Sequence, residues 1–488
     1  MSKRITIDPI TRLEGHGKIE IFLNDAGNVE NAYLQIPEMR GFEKFAEGRP
    51  AEEMPRITPR ICGVCPHAHH MASAKAVDRV FGVEPPPVAV KLREVFYNAH
   101  YVHSHIAHFY ALAAPDFVCG PDAPPAERNI IGVIGKVGLE IGGEVIKHRS
   151  YAQRIQEILG GKRTHSVFAV PGGISKHITK EERDEIEEMA KSIVEFCKFS
   201  LKLFGDVVLA NKGYVDLILS DAFIMPTYCM GLVDANKKVT FYDGKVRVVD
   251  PEGNEFAYFD PRDYRDYICE HVEPWSYLKF PYLKSVGWKG LTFGSDSGVL
   301  RAAPLARLNV SEGMATPLAQ EEFDKMYKTL GGKPSHHTLA MHWARLIEMM
   351  QAGEDLLRLI QEPDITDTHV RNLPTGVVGK GVGIVEAPRG TLIHDYETDE
   401  NGFITKANLI VATINNYPAM CISVKQAAQG LIKDGKVTDG LLNMVEMAFR
   451  AYDPCIGCAT NTLPGQTPLE VIIRNKDGET VDRLSQFV

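Results

Sequence analysis

Two short stretches decide how this chain is read: Arg60-Ile-Cys62-Gly-Val-Cys65-Pro66-His67-Ala-His69-His70 and, near the other end, Asp453-Pro-Cys455-Ile-Gly-Cys458. A Cys-x-x-Cys turn points two sulfurs to one side, and Gly63 and Gly457 ease the backbone into that turn. Two such turns meeting in space give a tetrathiolate site, where bound metal keeps the sulfurs deprotonated. From spacing alone the metal would be zinc, or iron with sulfide, because soft thiolates select those. Cys65 and Cys455 lie 390 positions apart (455 minus 65), whereas zinc ribbons keep their pairs roughly 15–20 residues apart. The halves of this site therefore come from opposite ends of a domain and join them across its core. A thioredoxin-like role explains one pair but not two. A closed structural metal site is the alternative that spacing leaves open.

Around those motifs the composition is that of an ordinary globular chain. With 488 residues, 44 % of them hydrophobic, a sizeable core is easily buried. A formal net charge of -9 argues against a broad nucleic-acid-binding surface. The first residues, Met1-Ser-Lys-Arg-Ile-Thr-Ile-Asp8, lack the apolar core of a secretory signal, and no stretch has the apolar length of a membrane span. A cytoplasmic protein is expected. Five further cysteines (Cys119, Cys197, Cys229, Cys269 and Cys421) stand singly and read as free, mostly buried thiols rather than a disulfide scaffold.

The pattern of apolar residues predicts a small antiparallel sheet over residues 5–36 with a turn near Gly27. Long helices are expected over 87–113, 127–159 and 180–208, the last opened by a capping box of Thr179 and Glu182. Residues 238–260 read as β, with Asp243-Gly244 and Glu252-Gly253 as turns, and 335–361 as helix. A hairpin over 390–413 turning at Glu400-Asn-Gly402, a helix over 439–451 and a hairpin over 469–482 about Asp477-Gly478 complete the chain. No linker or repeat divides it. The fold class is α+β: one large, mainly helical domain over 1–488, with long packed helices and small peripheral β-sheets. His100, His103, His105 and His108 share one predicted helix and read as packing residues rather than a second metal site. Gly379-Lys-Gly381-Val-Gly383 precedes a β-like segment instead of a helix, so it fails the dinucleotide-loop context. Nicotinamide or flavin chemistry would lie on another subunit.

Arg-x-Cys-Gly-Val-Cys-Pro-x-x-His at one end with Asp-Pro-Cys-x-x-Cys at the other resembles the paired signature of nickel–iron hydrogenase large subunits, and the likeness runs across nearly the whole chain. The resemblance implies nickel held by Cys62, Cys65, Cys455 and Cys458, with Cys65 and Cys458 also bridging to an iron that carries carbon monoxide and cyanide. It implies reversible oxidation of hydrogen to protons and electrons. Glu14, in Thr11-Arg-Leu-Glu14-Gly-His16, takes the place of the first proton relay from Cys455, and His69 that of a histidine bonding near a bridging thiolate. Arg389, in Glu386-Ala-Pro-Arg389-Gly390, matches an arginine over the open metal position, with Asp116 and Asp453 as the carboxylates holding it. Glu43, in Arg40-Gly-Phe-Glu43, matches a ligand of magnesium or a similar ion.

One departure stands out. The family pattern usually places a histidine three residues after the last cysteine, as magnesium ligand and as the residue after which a maturation protease cuts. This chain has Asn461, which offers an amide oxygen but no imidazole. Residues 462–488 would then be a maturation extension, removed after nickel-insertion proteins have acted. Implied partners are an iron–sulfur small subunit, together with diaphorase or other electron-transfer subunits binding NAD(P), flavin or ferredoxin. Pro66-His67-Ala-His69-His70 and the compact length resemble the cytoplasmic NAD-linked or carrier-coupled group. The rival from another class is a non-catalytic scaffold protein binding zinc or iron through the same cysteines.

Overall fold

Alternating apolar residues at the start of the chain form an antiparallel sheet of Lys3–Ile7, Lys18–Leu23 and Val29–Gln35, with Ile19, Ile21 and Leu34 turned into the core. In this computed structural model the described residues are 3–461, 470–474 and 480–485. The turn closing the second and third strands needs a left-handed residue and uses Gly27, φ 79°, with the Asn28 N–H donating to Asn24 Oδ1 at 3.0 Å.

The core is helical. Pro66–Val80, Pro87–Ala107, Lys180–Phe204 and Met341–Ile360 pack together, burying Phe96, Tyr97, Met349 and Trp343. The capping box on Lys180–Phe204 is present as expected: Thr179 Oγ1 accepts from Glu182 N–H, and Glu182 Oε2 accepts from Thr179 N–H. The helix expected over 87–113 ends its regular part at Ala107 and continues as π-turns His108–Ala113 and Pro115–Cys119. That expected over 127–159 divides into Ile130–Val137 and Leu139–Gly160, because Gly138 at φ 93° ends one and starts the other.

Further small sheets complete the arrangement. Tyr228–Val233, Lys245–Val249 and Glu255–Phe259 pair antiparallel, with the two-residue strand Leu300–Arg301 parallel to the first. Lys380–Ala387, Gly390–Thr398 and Ile404–Ile410 form a meander packed on Pro66–Val80. Gly381 and Gly383, which resembled a nucleotide loop, are strand residues: a Cβ on either would lie 2.0 Å from the carbonyl oxygen of Ala76 or Ala72. They are glycines because helix and strand backbones touch there. The predicted hairpin over 469–482 appears as Glu470–Arg474 paired with Thr480–Ser485, and its turn about Asp477-Gly478 falls outside the described residues. Among the described residues, no helix is long and apolar enough to cross a membrane.

Candidate metal centre

Each cysteine pair is presented by the start of a helical turn. Cys65 caps Pro66–Val80, whose Pro66 needs no hydrogen-bonded N–H, and Cys455 caps Ile456–Ala459. The N–H groups of Val64 and Cys65 both point at Cys62 Sγ at 3.1 Å, an arrangement that favours negative charge on sulfur. Cys455 N–H donates to Thr413 Oγ1 at 3.0 Å. The fold carries both pairs to one place: Cys62 and Cys455 sulfurs lie 3.2 Å apart, Cys65 and Cys458 3.1 Å, and Cys455 and Cys458 2.8 Å. All four are buried and free of disulfides, and they form one group within 4.8 Å. Burial pushes the Cys455 and Cys458 thiols well up, so four adjacent thiolates exist here only with a cation among them. The donor set fits a thiophilic metal ion.

Glu14 reaches this group from the far end of the chain. Its backbone forms a parallel bridge to Cys455, with Ile456 N–H donating to Glu14 O at 3.0 Å. Its Oε2 accepts from Cys455 Sγ at 3.1 Å and from Gly457 N–H at 2.9 Å. Neighbouring residues anchor the loop. Thr11 Oγ1 donates to Glu446 at 2.6 Å, and Arg12 donates to Asp116 at 2.5 Å and to Asn443 at 2.9 Å.

Asp116 was expected to hold Arg389 and does not. Its carboxylate accepts from Arg12, from Arg450 at 2.7 Å and from Asn443 at 3.1 Å. Burial would raise its pKa, but the two guanidinium groups outweigh that and hold it below the usual carboxylate range. The π-turn Pro115–Cys119 aims Asp116 at the helix Asp439–Arg450, so it fastens the Glu14 loop instead.

Arg389 is buried, and its Nη2 meets the Asp453 carboxylate at 3.1–3.2 Å. Although burial opposes its charge, Asp453 and the sulfurs of Cys455, Cys65 and Cys62 keep the guanidinium firmly protonated. Its Nε and Nη1 have no partner among the described residues. The backbone beneath it is fully tied. Tyr97 and Tyr101 hydroxyls donate to Glu386 O, Arg307 to Ala387 O and Pro388 O, and Asn416 to Arg389 O. Arg307 is itself locked by Glu348 at 2.6 and 2.8 Å. Sequence reading passed over Arg307, Glu348 and Asn416. Their one signal was a charged or amide residue within an apolar helical stretch.

His69 is buried and kept neutral by that burial, which lowers its pKa to about 4. Its Nδ1 bonds His394 Nε2 at 3.0 Å, His394 Nδ1 bonds the Tyr396 hydroxyl at 2.6 Å, and that hydroxyl donates to Ser73 at 3.0 Å. Its Nε2 has no partner among the described residues, and no hydrogen bond joins His69 to a cysteine sulfur. Glu43 and Asn461 come together further along: Glu43 N–H donates to Asn461 O at 3.2 Å. Glu43 Oε1 accepts from Leu409 N–H at 2.9 Å and from Lys279 at 3.4 Å. Asn461 Oδ1 and Glu270 Oε1, beside Lys279, are buried acceptors with no donor among the described residues. The Lys279 ammonium, 3.4 Å from Glu43 Oε1 and 3.5 Å from Glu270 Oε1, already supplies positive charge beside these carboxylates.

Four buried thiols with a carboxylate on one sulfur and an anchored guanidinium nearby define a metal-ligand set with a proton acceptor beside it. The particular family follows from comparison. The chain belongs to the nickel-dependent hydrogenases: the family profile described as "Nickel-dependent hydrogenase" matches residues 40–129 and 278–461, and one described as "HoxL-like" matches 4–39. An F420-non-reducing hydrogenase polypeptide of Archaeoglobus profundus is 50 % identical over 99 % of this chain and 100 % of its own. "NAD-reducing hydrogenase HoxS subunit beta" of Cupriavidus necator is 38 % identical over 99 % of each. A crystal structure of NAD+-reducing [NiFe]-hydrogenase in the H2-reduced state superposes with a TM-score of 0.87 at 38 % identity, covering 94 % of this chain and 99 % of that one. This is a nickel–iron hydrogenase catalytic subunit, which oxidises molecular hydrogen and passes electrons to partner subunits. The non-catalytic scaffold reading is set aside.

Proposed function

We propose that Cys455 and Glu14 form the first two steps of the proton path in H2 ⇌ 2 H+ + 2 e−. The Cys455–Glu14 hydrogen bond, 3.1 Å long, is the observation that carries this reading. Cys62, Cys65, Cys455 and Cys458 would hold nickel, and Cys65 and Cys458 would also hold an iron bearing carbon monoxide and cyanide. When bound, the metals would supply the position where hydrogen is polarised and its electrons are collected. Arg389, pinned by Asp453 and with two unpartnered donor nitrogens, aims positive charge where negative charge develops. Cys455 Sγ takes the proton and donates it to Glu14 Oε2, whose other bond, to Gly457 N–H, fixes the carboxylate. His69 Nε2, which has no partner among the described residues, would be free to donate near a thiolate shared by the two metals.

Four of the five single cysteines are buried as isolated thiols and Cys269 is half-buried, so this chain offers no ligand set for an electron-transfer cluster among its described residues. Electrons leave through an iron–sulfur small subunit to a protein binding NAD(P), flavin or ferredoxin, in the cytoplasm. One relative's name gives NAD as its acceptor, and another's says only that F420 is not reduced. Glu43 and Asn461 would be the residues to hold magnesium, and a maturation protease would cut after Asn461 to remove 462–488.

The test is Glu14→Gln in the assembled enzyme. The amide keeps an acceptor oxygen but cannot take up a proton at neutral pH. Hydrogen oxidation falls about 100-fold or more while nickel content and the infrared bands of carbon monoxide and cyanide persist. Unchanged turnover sinks the relay, and absent infrared bands in matured enzyme sink the iron assignment.

A further inference from the structure

Besides the contacts between sulfurs, one side chain bonds the backbone of both cysteine motifs. Arg40 Nη1 donates to Ile61 O, the residue before Cys62, at 2.6 Å, and to Gly457 O, between Cys455 and Cys458, at 3.0 Å. One nitrogen thus joins the two motifs. The adjacent backbone continues the seat: Arg40 and Gly41 N–H groups donate to Thr460 O at 2.8 and 3.2 Å, and Glu43 N–H to Asn461 O. The Phe42 ring backs the guanidinium, 5.2 Å from its centroid. Gly457 is gripped from both sides: a Cβ there would lie 2.8 Å from Glu14 Oε1 and 3.0 Å from Arg40 Nη1.

We propose that Arg40 is a positioning residue, the clasp that seats segment 455–461 against the Cys62–Cys65 turn and so brings the four sulfurs face to face. It touches neither metal nor sulfur. The inference goes beyond the proton path and stands on the clasp's geometry, whatever metal the site holds. Without the clasp, the last cysteine pair loses its one side-chain link to the backbone of the first motif and keeps its bonds to Glu14 and Thr413 and the backbone bonds to the 40–43 loop.

The test uses the full-length chain purified with a chelator, alkylated with iodoacetamide and read cysteine by cysteine by mass spectrometry. Arg40→Met keeps the apolar stem and removes the donors. Cys455 and Cys458 then react about tenfold faster, as expected when one charge-assisted hydrogen bond opposing a local opening is lost. Cys197 and Cys421, buried elsewhere in the core, keep their wild-type rates and report global unfolding if it occurs. Arg40→Lys restores protection, because an ammonium also donates to two carbonyls from one nitrogen. Gly457→Ala, which crowds the clasp, speeds alkylation like Arg40→Met. Unchanged Cys455 and Cys458 rates in Arg40→Met overturn the proposal. So does a parallel rise at Cys197 and Cys421, or a lysine variant as reactive as the methionine one. None of these readings depends on nickel or on turnover, so they separate from the Glu14 test.

Discussion

Asp116 shows how a residue takes its meaning from partners that only the fold supplies. Its carboxylate sits between Arg12 and Arg450, 104 and 334 positions away along the chain. Asp116→Asn leaves Arg12 without its carboxylate partner and Arg450 with Glu446 alone, and should destabilise the protein by about 3–5 kcal/mol, measured by urea unfolding. A loss below about 1 kcal/mol would show that the cluster is not an integral clamp. The four cysteines were legible in advance because a soft ligand set has a short-range spacing that few other structures explain. Glu14 and Arg389 were legible only through their neighbours in sequence. Arg40, Arg307 and Asn416 were not, since a guanidinium or amide tying backbone carbonyls together leaves no local pattern.

At the level of elements, the contact between Pro66–Val80 and Lys380–Ala387 fixes the relation between the first cysteine pair and Arg389. Cys65 opens the helix, Arg389 follows the strand, and Gly381 and Gly383 let the two backbones meet. Gly383→Ala forces them apart and should cost about 1–3 kcal/mol, read as a lowered thermal midpoint, with the Arg389–Asp453 pair displaced from the sulfurs. An unaltered midpoint would mean that the helix yields without strain. Periodicity placed the long helices because their apolar faces repeat over many turns. It ran through Gly138 and past Ala107, since an apolar pattern persists where the backbone changes its hydrogen bonding. The strand at 380–387 hid behind its glycines, whose purpose lies on the helix opposite.

Across the whole molecule, an unusual number of imidazoles lie in the core. Burial lowers His103 and His342 to about 3 and His105 to about 4, against an ordinary value near 6.5. For such groups the unfolded chain binds more protons than the native one between those values. Their contribution to stability is complete above about pH 6.5 and is lost as pH falls toward 4 and 3. The thermal midpoint should therefore fall steeply below pH 6.5 in the chelated chain, and a midpoint flat from pH 7 to 4 would contradict neutral buried rings. The α+β architecture was readable because long helical periods alternate with short strand patterns, and the cysteine pairs demand that the two ends meet.

That meeting also sets a clock. A ribosome adding roughly 5–20 residues per second needs about 20–80 s to synthesise the 390 positions between Cys65 and Cys455. For that interval the first two thiols exist with no partners, on a nascent chain whose core is incomplete. Any soft metal that captures them early has only half the ligands it needs and competes with the intended cargo. A site divided between the two ends of a polypeptide thus postpones irreversible loading until nearly all of the protein has been made.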